Sequence, residues 1–143
     1  MARILVADDN ADARELLRIM LREAGHDVFL AVDGDEAVAV FKSERPDLSI
    51  VDVFMPAKDG IDTIREIRRD FPQARIVAIS AGWRLPHLEV RSPFWDFDVL
   101  ADARAVGADA ALPKPIVAEA LLAVVNGLTA QSPPIRRTPR ARL

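Results

Sequence analysis

Four apolar residues in a row, Ile4-Leu5-Val6-Ala7, open the pattern of this chain and run straight into two aspartates, Asp8 and Asp9. A short continuous apolar run predicts a strand buried on both faces, as in a parallel sheet covered by helices. The same kind of run recurs. Val28 to Val32 predicts a second strand closed by the Asp33-Gly34 turn, and Leu48 to Val51 a third ending at Asp52. Ile76 to Ile79 predicts a fourth ending at Ser80, and Ala110 to Leu112 a short fifth leading to Lys114-Pro115.

Between these runs the apolar period becomes helical. Leu16, Leu17, Met20, Leu21 and Ala24 mark one helix, with Gly25 where a C-terminal glycine belongs. Ala37, Val38 and Phe41 mark the next, with Asp35 as its expected cap and Pro46 forcing the exit. Ile61, Ile64, Ile67 and Phe71 precede Pro72; Val99, Ala103 and Val106 stop near Gly107; Ile116 to Leu128 reads as the final helix. Strands joined by helix-length connections must be parallel, with right-handed crossovers. The pattern therefore predicts an α/β protein, a (βα)5 doubly wound parallel sheet in a flavodoxin-like three-layer sandwich.

In such sheets ligands bind outside the carboxyl ends of the strands. That rule brings Asp8, Asp9, Asp52, Ser80 and Lys114 to one edge. Two carboxylates about 4 Å apart repel by roughly 4 kcal/mol at an effective dielectric of 20, so a cation or a bound proton must compensate them. Three carboxylates without nearby histidine or cysteine favour Mg2+ over zinc. A lysine and a hydroxyl suit the remaining oxygens of a phosphoryl group, and an aspartate can itself be the nucleophile. Singly, each residue has an ordinary explanation: Asp8 or Asp9 as a helix N-cap, Asp52 capping a turn before Pro56, Lys114 as a surface lysine. Their joint occurrence at strand ends is what those explanations leave unaccounted for.

Composition narrows the class without changing it. The chain has 143 residues, half of them hydrophobic, no cysteine and a net charge of −3, which fits one cytoplasmic globular domain without disulfides or thiolate chemistry. No apolar run approaches a membrane span. The segment after Leu128 carries Arg136, Arg137, Arg140 and Arg142 with three prolines and no acid, and reads as a flexible basic tail over residues 129–143. The remaining body is correspondingly acidic, so no nucleic-acid partner is expected.

On Asp8-Asp9, Asp52-Val53-Phe54-Met55-Pro56 with Gly60 beyond, Ser80-Ala81 and Lys114-Pro115, the chain resembles the receiver domain of bacterial two-component response regulators over roughly residues 2–128. The resemblance implies a stand-alone, chemotaxis-type receiver in residues 1–128. In it Asp52 would accept a phosphoryl group from a histidine kinase or histidine phosphotransfer protein and signal to a downstream protein target. It implies Mg2+ held by Asp9, Asp52 and the Phe54 main-chain carbonyl, with Asp8 acting mostly through water. Lys114 would pair with the phosphate, the Ser80 hydroxyl would move to bond it, and the Lys114-Pro115 peptide would be cis, a modest cost at proline. Beyond phosphorylating and dephosphorylating itself, such a protein is not an enzyme.

Two departures stand out. The family usually has Tyr or Phe three residues before the lysine, and this chain has Ala111, which puts the usual coupling from Ser80 in doubt. The interval from Ser80 to Lys114 is also about a dozen residues longer than the family's. The excess lies in residues 83–97, which hold both tryptophans, Trp83 and Trp95, and His87. A loop of that length is often functional, and a lid or partner platform is the reading set against simple packing. His26 and His87 are assigned no role, and Glu36, Glu66, Arg65, Arg68 and Arg69 read as solvated faces. The alternative function is a phosphorylation-independent interaction module. A phosphohydrolase of the haloacid dehalogenase type would need a second Asp where this chain has Phe54.

Overall fold

The computed structural model describes residues 1–55, 58–80 and 103–130. The aromatic segment 83–97, the tail beyond residue 130 and Pro56 lie outside the described residues. Five strands, β1 (Arg3–Ala7), β2 (Asp27–Ala31), β3 (Leu48–Asp52), β4 (Ile76–Ser80) and β5 (Ala110–Pro113), form one sheet in the order β2-β1-β3-β4-β5. Every adjacent pair is parallel. The helices are α1 (Ala11–Glu23), α2 (Gly34–Glu44), α3 (Gly60–Asp70) and α4 (Ala118–Ala130), with residues 103–105 helical just before β5.

Alternation along the buried strands sorts their side chains between two cores. Ile4, Val6, Leu48, Ile50, Val77 and Ile79 pack against Leu17 and Leu21 of α1 and Leu121 and Val125 of α4. Leu5, Ala7, Val51, Ile76 and Ala78 face the other way, against Ala37, Val38 and Phe41 of α2 and Ile64 and Ile67 of α3. Ala103 joins this second core, and Ala111 packs at its margin. The three-layer sandwich is thus the observed architecture, and the strand order reverses between β1 and β3, where the site expected from the sequence lies.

Helix boundaries follow local chemistry. α1 starts at Asn10, whose side chain accepts from the Ala13 amide, so neither Asp8 nor Asp9 is its cap. It ends with the Gly25 amide on the Arg22 carbonyl at 2.9 Å and the His26 amide on the Leu21 carbonyl at 3.1 Å, Gly25 supplying the positive φ of 95°. α2 is capped by Asp33, whose side chain accepts from the Glu36 amide, rather than by Asp35. Val32 therefore falls outside β2, its amide donating to Glu36 Oε1 at 2.7 Å. Asp33-Gly34 is a helix start and not a free turn. α4 begins two residues later than the apolar pattern suggests: Ile116 and Val117 lie outside the helix, whose first turn closes with the Leu121 amide on the Val117 carbonyl at 2.9 Å. The Lys114-Pro115 peptide is cis.

Arg68 is no solvated charge. Its guanidinium donates to the carbonyls of Pro72, Ala74 and Gly107 and pairs with Asp109 at 2.9 Å, tying the end of α3 to the entry of β5. Glu66 likewise pairs with Lys58, which also approaches Asp35 at 3.7 Å. His26 is buried, its Nδ1 accepting from the Ala2 amide at 2.9 Å.

Candidate functional site

Asp8 follows the last residue of β1, and Asp52 and Ser80 end β3 and β4; all three are almost wholly buried, at 0, 4 and 2% exposure. Lys114 comes one residue after β5, and its amide donates to the Ser80 carbonyl at 2.9 Å. Its side chain reaches back to the carboxylates: Nζ lies 2.8 Å from Asp8 Oδ2 and 3.2 Å from Asp52 Oδ2. Asp9 is exposed, yet one carboxylate oxygen each from Asp8, Asp9 and Asp52 lie within 4.8 Å of one another. The five residues expected at the strand ends therefore meet at one edge of the sheet.

Each carboxylate is held by more than the lysine. Asp8 Oδ1 accepts from the Asn10 amide at 2.9 Å, and Asp52 Oδ1 from the Phe54 amide at 3.2 Å. Asp52 thus caps its own turn and also faces the site, so the two sequence readings of it are compatible. Phe54 itself is 39% exposed at the rim.

Gly60 fixes the backbone behind Asp52. The Gly60 amide donates to the Val53 carbonyl at 2.8 Å, and a Cβ at residue 60 would lie 2.2 Å from the Asp52 carbonyl oxygen and 2.5 Å from Val53 Cα. Neither neighbour is a flexible side-chain end, so the backbone carrying Asp52 must move to admit one. Gly60→Ala is expected to destabilise the protein by about 2 kcal/mol, measured as a shift in urea midpoint.

Two buried carboxylates share one ammonium, and the balance falls on Asp52. Burial, then the charge of Asp8, pushes its carboxyl up from 3.8 to about 7, against the opposing pull of Lys114. On Lys114 burial acts to lower the pKa, but the hydrogen bond to Asp8 and both carboxylate charges outweigh it and the net shift is upward. The site is thus short of positive charge at neutral pH. Its donors are all carboxylate oxygens, the chemistry of hard cations, and the cluster of Asp8, Asp9 and Asp52 could hold such an ion.

A sign follows for stability. Asp52 holds its proton more tightly folded than unfolded, so between about pH 4 and 7 the folded state binds more protons. Without a divalent cation, stability conferred at low pH is lost as pH rises through that window. A cation that binds the ionised carboxylates reverses the loss. Differential scanning fluorimetry is expected to give a larger Mg2+-induced rise in Tm at pH 8 than at pH 5; equal rises would contradict this account.

The sequence reading missed Asn10 and Arg14 near Asp8. Asn10 carries an ordinary N-cap signal directly before the helical period. Arg14 carries none, because its contact is to a main-chain carbonyl. Among the described residues no helix is long and apolar enough to cross a membrane.

Known proteins resemble this chain in sequence and in fold. The chain is 39% identical over 132 residues to the response regulator MprA of Mycolicibacterium vanbaalenii, covering 92% of this chain and 52% of that protein. It is 37% identical to MprA of Mycobacterium tuberculosis, again over 92% of this chain and 52% of the relative. The chain spans about half the length of these curated relatives. Among solved structures, a response regulator receiver domain protein from Clostridium thermocellum superposes with a TM-score of 0.79 at 26% identity, over 92% of this chain and 96% of that one. The receiver domain of NtrX from Brucella abortus gives 0.77 at 28% identity, over 90 and 99%. A family model described as the response regulator receiver domain matches residues 4–90. With that match, over a doubly wound sheet whose acidic edge is closed by Lys114, the chain belongs to the response regulator receiver domain family.

Proposed function

We propose that this receiver takes up a phosphoryl group on Asp52 from a histidine kinase or histidine phosphotransfer protein and passes the change to a downstream protein target in the cytoplasm. The observation that carries the reading is Lys114 Nζ lying between two buried carboxylates, 2.8 Å from Asp8 and 3.2 Å from Asp52. A cation so held can turn to a phosphoryl oxygen once Asp52 is phosphorylated.

Mg2+ would be held by Asp9, Asp52 and the Phe54 carbonyl, with Asp8 acting mostly through water. It would supply charge neutralisation between the nucleophile and the incoming phosphoryl group. The remaining chemistry belongs to the chain. The ionised Asp52 carboxylate attacks phosphorus, a P–O bond forms, the P–N bond of the donor phosphohistidine breaks, and the donor ring, already protonated on its other nitrogen, takes the P–N electron pair and leaves as neutral imidazole. Lys114 compensates the charge added to the phosphoryl oxygens. The Ser80 hydroxyl, at the end of β4, offers a donor to the same oxygens. The Phe54 amide on Asp52 Oδ1 keeps the nucleophile in one rotamer, which supports an in-line approach by limiting its freedom.

Ala111 in β5 cannot supply an aromatic ring that follows Ser80. The coupling from Ser80 therefore does not run through a ring at residue 111. The test is direct: acetyl phosphate with Mg2+ should give a single phosphoryl adduct by intact mass, labile to base and to hydroxylamine as an acyl phosphate is, and mapped to the peptide carrying Asp52. Absence of any adduct, with Mg2+ binding intact, would overturn the reading.

A further inference from the structure

Between β1 and α1 a short turn, residues 8–10, carries two of the three carboxylates, and one arginine closes it. Arg14, one turn into α1, donates from Nη1 to the main-chain carbonyl of Asp8 at 2.9 Å. Its own amide donates to the Asn10 carbonyl at 3.0 Å. The Asn10 amide in turn donates to Asp8 Oδ1, and Asn10 Oδ1 caps the Ala13 amide at 2.9 Å. Every polar atom of Asp8 is thereby engaged. Its amide donates to the Ala31 carbonyl, its carbonyl accepts from Arg14, Oδ1 accepts from Asn10 and Oδ2 from Lys114. Asp9 is placed by the bonds that its two neighbours make.

The sign of the Arg14 charge makes this contact informative. A cation near the start of a helix opposes the helix dipole, and it also repels any divalent cation bound beside Asp8 and Asp9. On electrostatics alone, Arg14 is the wrong residue at both features. What it contributes is a charge-assisted hydrogen bond to the one Asp8 acceptor that neither Asn10 nor Lys114 serves.

We propose that Arg14 is a positioning residue for the cation site: by clamping the Asp8 carbonyl it fixes the 8–10 turn so that Asp8 and Asp9 converge with Asp52. The proposal rests on the reading of these carboxylates as the Mg2+ site. Outer partners that orient metal ligands typically alter metal affinity by 10- to 100-fold when removed.

Isothermal titration of the full chain with MgCl2 at pH 8 tests it. Arg14→Met is expected to bind Mg2+ about tenfold more weakly than wild type, with an unchanged far-ultraviolet circular dichroism spectrum and a cooperative thermal transition in EDTA. A purely electrostatic role predicts the opposite sign, because a repelling charge has been removed. Binding by Arg14→Met that equals or exceeds wild type overturns the proposal. If Arg14→Met does not unfold cooperatively, the neutral but polar Arg14→Gln decides by the same sign. Absence of Mg2+ binding by the wild-type chain would instead overturn the reading of the site itself.

Discussion

Asp52→Asn is expected to take no phosphoryl group from acetyl phosphate and, in EDTA at pH 8, to unfold at a higher temperature than wild type. The first effect is chemical. The amide that replaces the carboxylate is a poor nucleophile and cannot form the acyl phosphate. The second follows from the charge count in the pocket. Asp8 and Asp52 are both buried and share one ammonium. Replacing Asp52 leaves a matched Asp8–Lys114 pair. In the wild type, ionising Asp52 in the folded state is opposed because its carboxyl is raised to about 7. That opposition is absent below pH 4, where Asp52 is protonated in both states, grows as pH rises toward 7 and is complete above it. The gain from Asn is therefore about 2 to 4 kcal/mol at pH 8 and near zero at pH 4. Thermal melts at the two pH values, with intact-mass labelling, measure both effects. Wild-type labelling of the Asn variant would move the acceptor to another residue. A gain in Tm that is the same at pH 4 and 8 would remove the charge explanation.

The sequence made the sheet legible because its strands are buried on both faces. Ile4 to Ala7 and Ile76 to Ile79 are unbroken apolar runs, and a parallel sheet with helices on both sides is the arrangement that hides them. The site was legible for the same reason: polar residues at the ends of such runs can meet only at one edge. Competition between similar residues was harder to read. Asp33 and Asp35 both precede the apolar period of α2, and the cap falls to Asp33 because its backbone is extended, with φ −154° and ψ −179°. Arg68 reads as solvated from sequence because nothing in its helical position indicates Gly107, which it meets across 39 residues of chain. Arg14 belongs to the same class of omission. A bond from a side chain to a distant or local carbonyl leaves no pattern of residue types to find.

Lys114→Met is expected to be the most destabilising of these substitutions, by about 3 to 5 kcal/mol at pH 8 in EDTA. Methionine preserves the apolar stem and approximate length, so the change isolates the ammonium of a side chain that is only 17% exposed in the wild type. Removing it leaves Asp8 and Asp52 buried without their shared cation, and the burial that already raises Asp52 then acts unopposed. The Asp52 carboxyl responds by holding its proton to still higher pH. The deficit relative to wild type therefore shrinks as pH falls, since protonated acids need no partner. Mg2+ provides a second discriminator: a divalent cation at the same carboxylates replaces part of the lost charge, so saturating MgCl2 should raise the Tm of Lys114→Met more than that of wild type. Urea melts at pH 5 and 8, with and without Mg2+, separate the cases. A deficit independent of pH and untouched by Mg2+ would assign Lys114 to packing alone. A deficit that closes with protons or with Mg2+ would make the pocket a charge-balanced device in which ammonium, metal and phosphoryl group exchange partners around the same two carboxylates.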